Sequence, residues 1–210
     1  MSTRQIFGSL ACGAVLLTGV TACSEEPADK PKTSSSGSSN SDKANGAPNT
    51  ETPPAELLNL GVEQGQAGDF DAAKATFEKV LAAEASNKFA WFNLGFIAHS
   101  RNQSDEAVSN YDKALEADAN YKPALYNKAI ALESKAPTTS MDIYRRVVSI
   151  DDKSSTAYLR LGILLSQSGD DKGARDAFRA AVRLDSGLTS AVPAKYRAGL
   201  TTPSSAPADR

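Results

Sequence analysis

Residues 88–121 read KFAWFNLGFIAHSRNQSDEAVSNYDKALEADANY, and this stretch decides the fold. Its first half carries Trp91, Leu94 and Ala98 at intervals of three and four residues, which places them on one face of a helix. Its second half repeats the helical spacing around Tyr111. Polar residues separate the two halves and indicate a turn. The stretch therefore predicts two consecutive helices.

The same pattern recurs along the chain with a nearly constant period. A small residue stands at Gly61, Gly95, Ala129 and Gly162, and an aromatic residue at Phe77, Tyr111, Tyr144 and Phe178. Successive members are 34 residues apart, except that 33 residues separate Ala129 from Gly162 and Tyr111 from Tyr144. One residue is therefore missing between Ala129 and Tyr144, where Pro137-Thr138-Thr139 suggests a turn. A fixed period near 34 is typical of an array of helix–turn–helix repeats.

The residues at these offsets resemble the tetratricopeptide-repeat family, whose pattern is Trp-x2-Leu-Gly-x2-Tyr followed by Ala-x3-Phe-x2-Ala. Repeats two and four follow the pattern most closely, and repeat three diverges most. The matching positions are Leu57, Leu60, Gly61, Gln64, Ala73, Phe77 and Val80; Trp91, Leu94, Gly95, Ala98, Ala107, Tyr111 and Ala114; Leu125, Lys128, Ala129, Leu132, Ser140, Tyr144 and Val147; and Tyr158, Leu161, Gly162, Leu165, Ala174, Phe178 and Ala181.

The resemblance implies an all-α superhelical solenoid of about four helix–turn–helix repeats over residues 54–200. The repeats are expected at 54–87, 88–121, 122–154 and 155–188. Such a stack needs a cap at its end. Val192, Tyr196 and Leu200 lie on one helical stripe, so we expect a short capping helix within 189–200.

The first 22 residues are predicted to be a lipoprotein signal peptide. Residues 6–20 form an apolar run of the length of a signal-peptide core, too short for a comfortable membrane span. The ending Val20-Thr21-Ala22-Cys23 resembles the lipobox of bacterial lipoproteins, which implies that Cys23 is acylated and anchors the chain outside the cytoplasmic membrane. In a diderm bacterium, the same signal also permits anchoring in the outer membrane. The alternative is an ordinary secretory peptide that leaves Cys23 as a free thiol.

Residues 23–53 are predicted to form the lipidated N-terminus and a disordered linker, and residues 201–210 a disordered tail. From residue 24 to residue 53 the sequence contains no Leu, Ile, Val or aromatic residue. Such a segment cannot bury enough apolar surface to offset the entropy of ordering it.

Composition and motifs argue against several classes of function. The formal net charge is −2 with both signs intermixed, so we expect no nucleic acid as partner. His99 is the only histidine, and no His, Cys or Asp cluster has metal-ligand spacing. The pairs Asp151-Asp152 and Asp170-Asp171 fall at predicted turns, where solvated helix caps are expected. We therefore expect no enzyme activity, no metal and no cofactor.

By resemblance, the concave face of the solenoid is expected to bind a peptide through the first helix of each repeat. The predicted groove residues are Leu58, Asn59, Val62, Phe89, Phe92, Asn93, Phe96, His99, Tyr126, Asn127, Ile130, Leu159, Arg160 and Ile163, with Glu133 and Gln167 nearby. Asn59, Asn93 and Asn127 form a ladder at one repeat position, and an Asn amide can pair with both groups of a peptide backbone. Alternatively, these side chains are solvated or bonded within the repeat.

The chemistry of these positions favours an apolar ligand. Helix 89–100 is apolar on two stripes, and an exposed aromatic patch usually marks a binding site. The linker, the tail or a second copy of the chain are other possible occupants. Leu58, Phe92 and Tyr126 stand where a clamp for a terminal carboxylate would need cations, so an apolar extended or helical segment fits better.

These observations predict a membrane-anchored scaffold that binds another protein, such as an adaptor or assembly factor of the cell envelope. One alternative is a structural lipoprotein that associates with itself. Another is a non-catalytic subunit that localises an envelope enzyme complex.

Overall fold

The computed structural model describes residues 52–200, and all regular structure in this range is helical. Four helix pairs follow one another: α1 Pro54–Gln66 and α2 Phe70–Ala83, α3 Lys88–Ser100 and α4 Ser104–Ala117, α5 Lys122–Leu132 and α6 Pro137–Ile150, α7 Ser155–Gln167 and α8 Asp171–Leu184. A 3₁₀ turn over Ser186–Ala191 and a short α9, Ala194–Arg197, complete the fold. The predicted signal peptide, Cys23, the linker up to residue 51 and the tail lie outside the described residues.

Within each pair, a small residue of the first helix faces an aromatic ring of the second. A Cβ placed on Gly95 would lie 2.6 Å from the Tyr111 ring. A Cβ on Gly162 would lie 2.7 Å from the Phe178 ring. The glycines therefore allow the close approach of two helices, which compensates for their helix-propensity cost of about 1 kcal/mol.

The pairs stack into one continuous array, because each second helix also packs against the first helix of the next pair. The first helices approach one another as well, α1 against α3 and α3 against α5, and thus form the inner side of the stack. Helix α3 contributes Leu94 and Ile97 to the core with α1 and α2, and Phe92 and Ala98 to the core with α4. Packing on two sides explains why α3 is apolar on two stripes.

The turns follow the sequence in two repeats and differ in a third. Asp69 accepts a hydrogen bond from the backbone N–H of Ala72, and Asp170 accepts one from Gly173, so both cap second helices. The expected turn at Pro137-Thr138-Thr139 is wrong, because Pro137 is the first residue of α6. Proline suits this position, since the first helical N–H has no partner within the helix.

The second helix of repeat two also begins without a side-chain cap. Ser104 is the first residue of α4, and the preceding Gln103 forms no side-chain capping bond. The turns before α4 and α6 therefore rely on backbone hydrogen bonds.

The C-terminal segment closes the stack as predicted. Val192 and Tyr196 are buried, and the Tyr196 ring lies 5.1 Å from the Phe178 ring. The Tyr196 hydroxyl donates to Asp171 at the start of α8, and Lys195 pairs with the same carboxylate. The four repeats and the cap confirm the predicted all-α solenoid. Among the described helices, none combines the length and apolarity needed to cross a bilayer.

Candidate functional site

The inner face of α3, α5 and α7 presents a row of half-buried side chains. Those of the predicted set are Phe89, Phe96, His99, Tyr126, Asn127, Ile130, Leu159, Arg160 and Ile163, whereas Asn59 on α1 is exposed. Most of the row is apolar or aromatic, and its apolar members pack with one side against the cores. This face can therefore cover apolar side chains of a ligand without itself unfolding.

Four predicted groove residues are not available at this surface. Leu58, Val62, Phe92 and Asn93 are 8%, 2%, 3% and 0% exposed. Leu58 and Val62 belong to the core of repeats one and two. The Phe92 ring packs 5.9 Å from the Tyr111 ring. Helical spacing places these four residues on the stripe that was predicted to line the groove. Neighbouring helices nevertheless pack closely enough to cover their side chains.

The Asn ladder is engaged partly within its own helices. The Asn93 Nδ2 donates to the Phe89 carbonyl at 2.9 Å, and the Asn127 Nδ2 donates to the Pro123 carbonyl at 2.9 Å. These bonds span one helical turn and correspond to the alternative in which the amides bond within the repeat. The carbonyl oxygen of Asn93 nevertheless has no partner, although it is buried.

A polar cluster lies between α5, α6 and α7. The Arg160 Nη1 donates to both oxygens of Glu133 at 2.9 and 3.1 Å, and the Tyr144 hydroxyl donates to the same carboxylate at 2.7 Å. Burial raises the pKa of Tyr144 beyond its usual range, and the charge of Glu133 adds to this effect. Arg160, the one cation expected in the groove, is therefore neutralised by Glu133.

Tyr144 was not among the predicted groove residues, because its aromatic ring identifies it as a core position. The signal in the sequence is that this repeat has a tyrosine, with its hydroxyl, at a core position where other repeats have phenylalanine. Repeats one and four carry Phe77 and Phe178 at the same position, and both are fully buried. A tyrosine there needs a hydrogen-bond partner, which Glu133 supplies.

Repeat two holds several buried polar atoms without a protein partner. They are the Asn93 Oδ1, the His99 Nδ1, the Tyr111 hydroxyl and, at the α4–α5 turn, the Tyr121 hydroxyl. Burial lowers the pKa of His99 below its ordinary value of 6.5, the charge of Arg160 lowers it further, and Glu133 opposes both. Burial also raises the pKa of Tyr121 to about 12, with a contribution from Asp118. Unsatisfied buried groups of this kind are uncommon in folded proteins and need an explanation.

A second surface feature lies on the opposite side of α3. The Trp91 indole donates to the Ala85 carbonyl at 2.8 Å, and the Lys113 ammonium lies 4.1 Å from the centre of its ring. Shallow hollows of about 330 and 260 Å³ flank this ring between α2 and α4. Charged residues of both signs line them, such as Lys74 and Glu106, so they show no marked preference for a ligand.

No group of histidine, cysteine, aspartate and glutamate side chains among residues 52–200 could hold a metal ion. The half-buried face of α3, α5 and α7 therefore offers apolar contact and hydrogen bonds as its chemistry.

Comparisons with known proteins support the same architecture. Residues 58–122 and residues 155–187 each match a family model described as tetratricopeptide repeat. No curated protein sequence matches the chain. The chain therefore carries tetratricopeptide repeats, in agreement with the fold.

Several solved structures are similar to this chain over most of its described length. A crystal structure of the protein MamA is 22% identical with a TM-score of 0.60, and the match covers 66% of this chain and 76% of MamA. MamA from Desulfovibrio magneticus RS-1 is 20% identical with a TM-score of 0.59, covering 65% and 78%. The protein YrrB, a TPR protein with an unusual peptide-binding site, is 21% identical with a TM-score of 0.59, covering 64% and 70%. At these identities the likeness concerns the fold, which is a tetratricopeptide-repeat solenoid.

Proposed function

We propose that this protein is a non-catalytic scaffold that binds an extended or helical segment of another protein on the inner face of α3, α5 and α7. The observation that carries the proposal is the continuous row of half-buried apolar side chains on this face. Surface of this kind usually marks an interaction site. The peptide-binding site named for YrrB, which has a similar fold, supports the same assignment.

The proposal also includes a lipid anchor at Cys23, which would place the scaffold outside the cytoplasmic membrane as an adaptor or assembly factor of the cell envelope. It rests on the lipobox-like ending of the apolar leader. An attached diacylglycerol gives a stable anchor, since two acyl chains are buried in the bilayer.

The test is an in-cell crosslinking pull-down with matched variants. The groove variant carries Ile130→Gln and Leu159→Gln. The control variant carries Ile150→Gln and Leu184→Gln, which change the same residue types on the second helices α6 and α8, where both side chains are exposed. We expect one protein to be captured by the native chain and by the control, and to be lost from the groove variant. Equal capture by all three chains would exclude the groove as the binding surface.

A second candidate is self-association through the edge of repeat one. Leu60 on α1 is 43% exposed, whereas Leu94 and Leu161, at the same position of later repeats, are buried against the preceding repeat. Within the described residues, α1 has no preceding helix. Sedimentation of the mature chain beside a Leu60→Asp variant separates the two candidates. If the native chain is a dimer and the variant is a monomer, self-association is favoured. If the native chain is a monomer, self-association is excluded.

A further inference from the structure

Repeats two and three share a buried tyrosine but carry different residues at two equivalent positions around it. His99 and Glu133 each stand four residues after the small residue of their first helix, Gly95 or Ala129. Tyr111 and Tyr144 occupy the aromatic position of the second helix. Asn127 and Arg160 occupy the ladder position of the following repeat. Repeat three thus combines Glu, Tyr and Arg, where repeat two combines His, Tyr and Asn.

In repeat three the cluster is complete. The Glu133 carboxylate accepts hydrogen bonds from the Tyr144 hydroxyl and the Arg160 guanidinium. The buried Tyr144 hydroxyl therefore has an anionic acceptor in Glu133, and Arg160 balances the charge of that acceptor.

In repeat two the acceptor is missing from the protein. The Tyr111 side chain is fully buried, and its hydroxyl has no partner. The His99 Nδ1 also has none. Asn127 does not supply one, because its Nδ2 donates to the Pro123 carbonyl and its Oδ1 forms no hydrogen bond with the Tyr111 hydroxyl or the His99 Nδ1. Tyrosine and a neutral imidazole can both donate a hydrogen bond, so together they match an acceptor from a ligand.

We propose that His99 and Tyr111 form a subsite for a side-chain carboxylate of the bound segment, which gives the Tyr111 hydroxyl the kind of acceptor that Glu133 gives Tyr144 in repeat three. This inference rests on the proposed function and names the chemistry of the partner: an aspartate or glutamate flanked by apolar residues. His99 is half-buried, but its Nδ1 and the Tyr111 hydroxyl are both covered, so the carboxylate reaches them when the His99 ring turns aside.

Hydrogen-bond strength favours an acid over a neutral acceptor. Hydrogen bonds to an ionised acceptor are about twice as strong as neutral ones.

The first experiment selects ligands from a displayed library of random nonapeptides with the mature chain, prepared without a histidine tag. We expect the selected peptides to share one acidic position between apolar ones. Selection of apolar peptides with no acidic position would overturn the inference and leave the proposed function intact. Failure to select any peptide, with no partner captured in cells, would remove the proposed function itself.

The second experiment measures the affinity of one selected peptide against its Glu→Gln or Asp→Asn counterpart. For the native chain we expect the acidic peptide to bind about tenfold more tightly, the effect of one charge-assisted hydrogen bond. In the Tyr111→Phe variant this preference should fall below about twofold. The variant is expected to fold, because repeats one and four carry Phe77 and Phe178 at this position. A preference that persists in the variant would exclude Tyr111 as part of the subsite.

A groove variant, Ile130→Gln, serves as the control. It should weaken both peptides by the same factor, since it removes apolar contact and leaves the subsite unchanged. The ring resonances of His99, the only histidine, give an independent reading by NMR. They should shift with the acidic peptide more than with its amide counterpart, and equal shifts would contradict the proposal.

Other occupants would give distinct results. The linker carries five carboxylates that would compete from the same chain: Glu25, Glu26, Asp29, Asp42 and Glu51. If peptides bind only after these five are changed to amides, the linker is the occupant and the proposal of an external segment fails. A concentration-dependent dimer that Tyr111→Phe abolishes would assign the carboxylate to a second copy and overturn the proposal in the same way.

Discussion

Tyr111 and Tyr144 hold equivalent positions in successive repeats, but only the Tyr144 hydroxyl has a partner. Removal of the two hydroxyls should therefore have opposite effects on stability. Tyr144→Phe breaks a buried hydrogen bond and should lower the free energy of unfolding by about 1–3 kcal/mol. Tyr111→Phe removes an unsatisfied buried group and should raise it by about 1 kcal/mol in the absence of ligand. Urea unfolding followed by circular dichroism measures both free energies. A loss of stability in both variants would contradict the conclusion that only the Tyr144 hydroxyl has a hydrogen-bond partner.

His99 should make the stability depend on pH. Its pKa in the folded chain lies below the unfolded value of 6.5, chiefly because burial disfavours the charged ring. As the pH falls below 6.5, the unfolded chain takes up a proton that the folded chain still resists, so the free energy of unfolding decreases. His99→Gln should reduce the change in stability between about pH 7.5 and pH 5.5, since it removes this proton uptake. An NMR titration of the His99 ring with a midpoint at or above pH 6.5 would show that folding does not lower the pKa of His99.

At the scale of helices, the repeat period predicted the eight helices and the order in which they pack. It could do so because small and aromatic residues meet once per repeat, as Gly95 meets Tyr111. The start of α6 was not predicted, since Pro137 is compatible both with a turn and with the first residue of a helix. The missing residue of repeat three comes from a shorter α5, which ends at Leu132, whereas the connection from α5 to α6 is one residue longer than in the other repeats.

The groove was predicted less completely, for a physical reason. The periodicity of a sequence shows which side of a helix a residue occupies, but it does not show how closely the next helix approaches that side. Phe92 and Asn93 lie on the predicted stripe and are nevertheless buried. The pairing of Arg160 with Glu133 joins residues 27 positions apart, and the repeat pattern alone does not specify it.

The C-terminal cap should contribute measurably to the stability of the last repeat. Tyr196 is 2% exposed and covers Phe178, the aromatic residue of repeat four. Tyr196→Ala should therefore lower the free energy of unfolding by about 3–5 kcal/mol. Lys195→Ala, on the adjacent residue, removes an exposed ion pair with Asp171 and should leave the free energy of unfolding nearly unchanged, because exposed ion pairs contribute little. Thermal unfolding of both variants tests this difference, and similar effects would show that the cap does not stabilise the repeat.

At the scale of the whole molecule, the proposed anchor and the groove are separated by the linker. Residues 24–53 lie between Cys23 and the start of α1 at Pro54. Under the proposed function, the partner would be a protein that presents a segment close to the same membrane.

The anchor itself gives the last prediction. If Cys23 carries the lipid, Cys23→Ala should abolish lipidation and, once the apolar leader is cleaved, move the protein from the membrane fraction to the soluble fraction of the cell. A variant that keeps its leader would stay with the membrane, and its larger mass identifies it as the uncleaved precursor. Cys12→Ala is the matched control, since it changes the only other cysteine, which lies within the leader. It should leave the protein with the membrane. Mass spectrometry of the mature N-terminal peptide provides the chemical evidence: a diacylglyceryl group on Cys23 is expected. An unmodified thiol, together with identical fractionation of both variants, would identify the leader as an ordinary secretory peptide and leave the scaffold without its anchor.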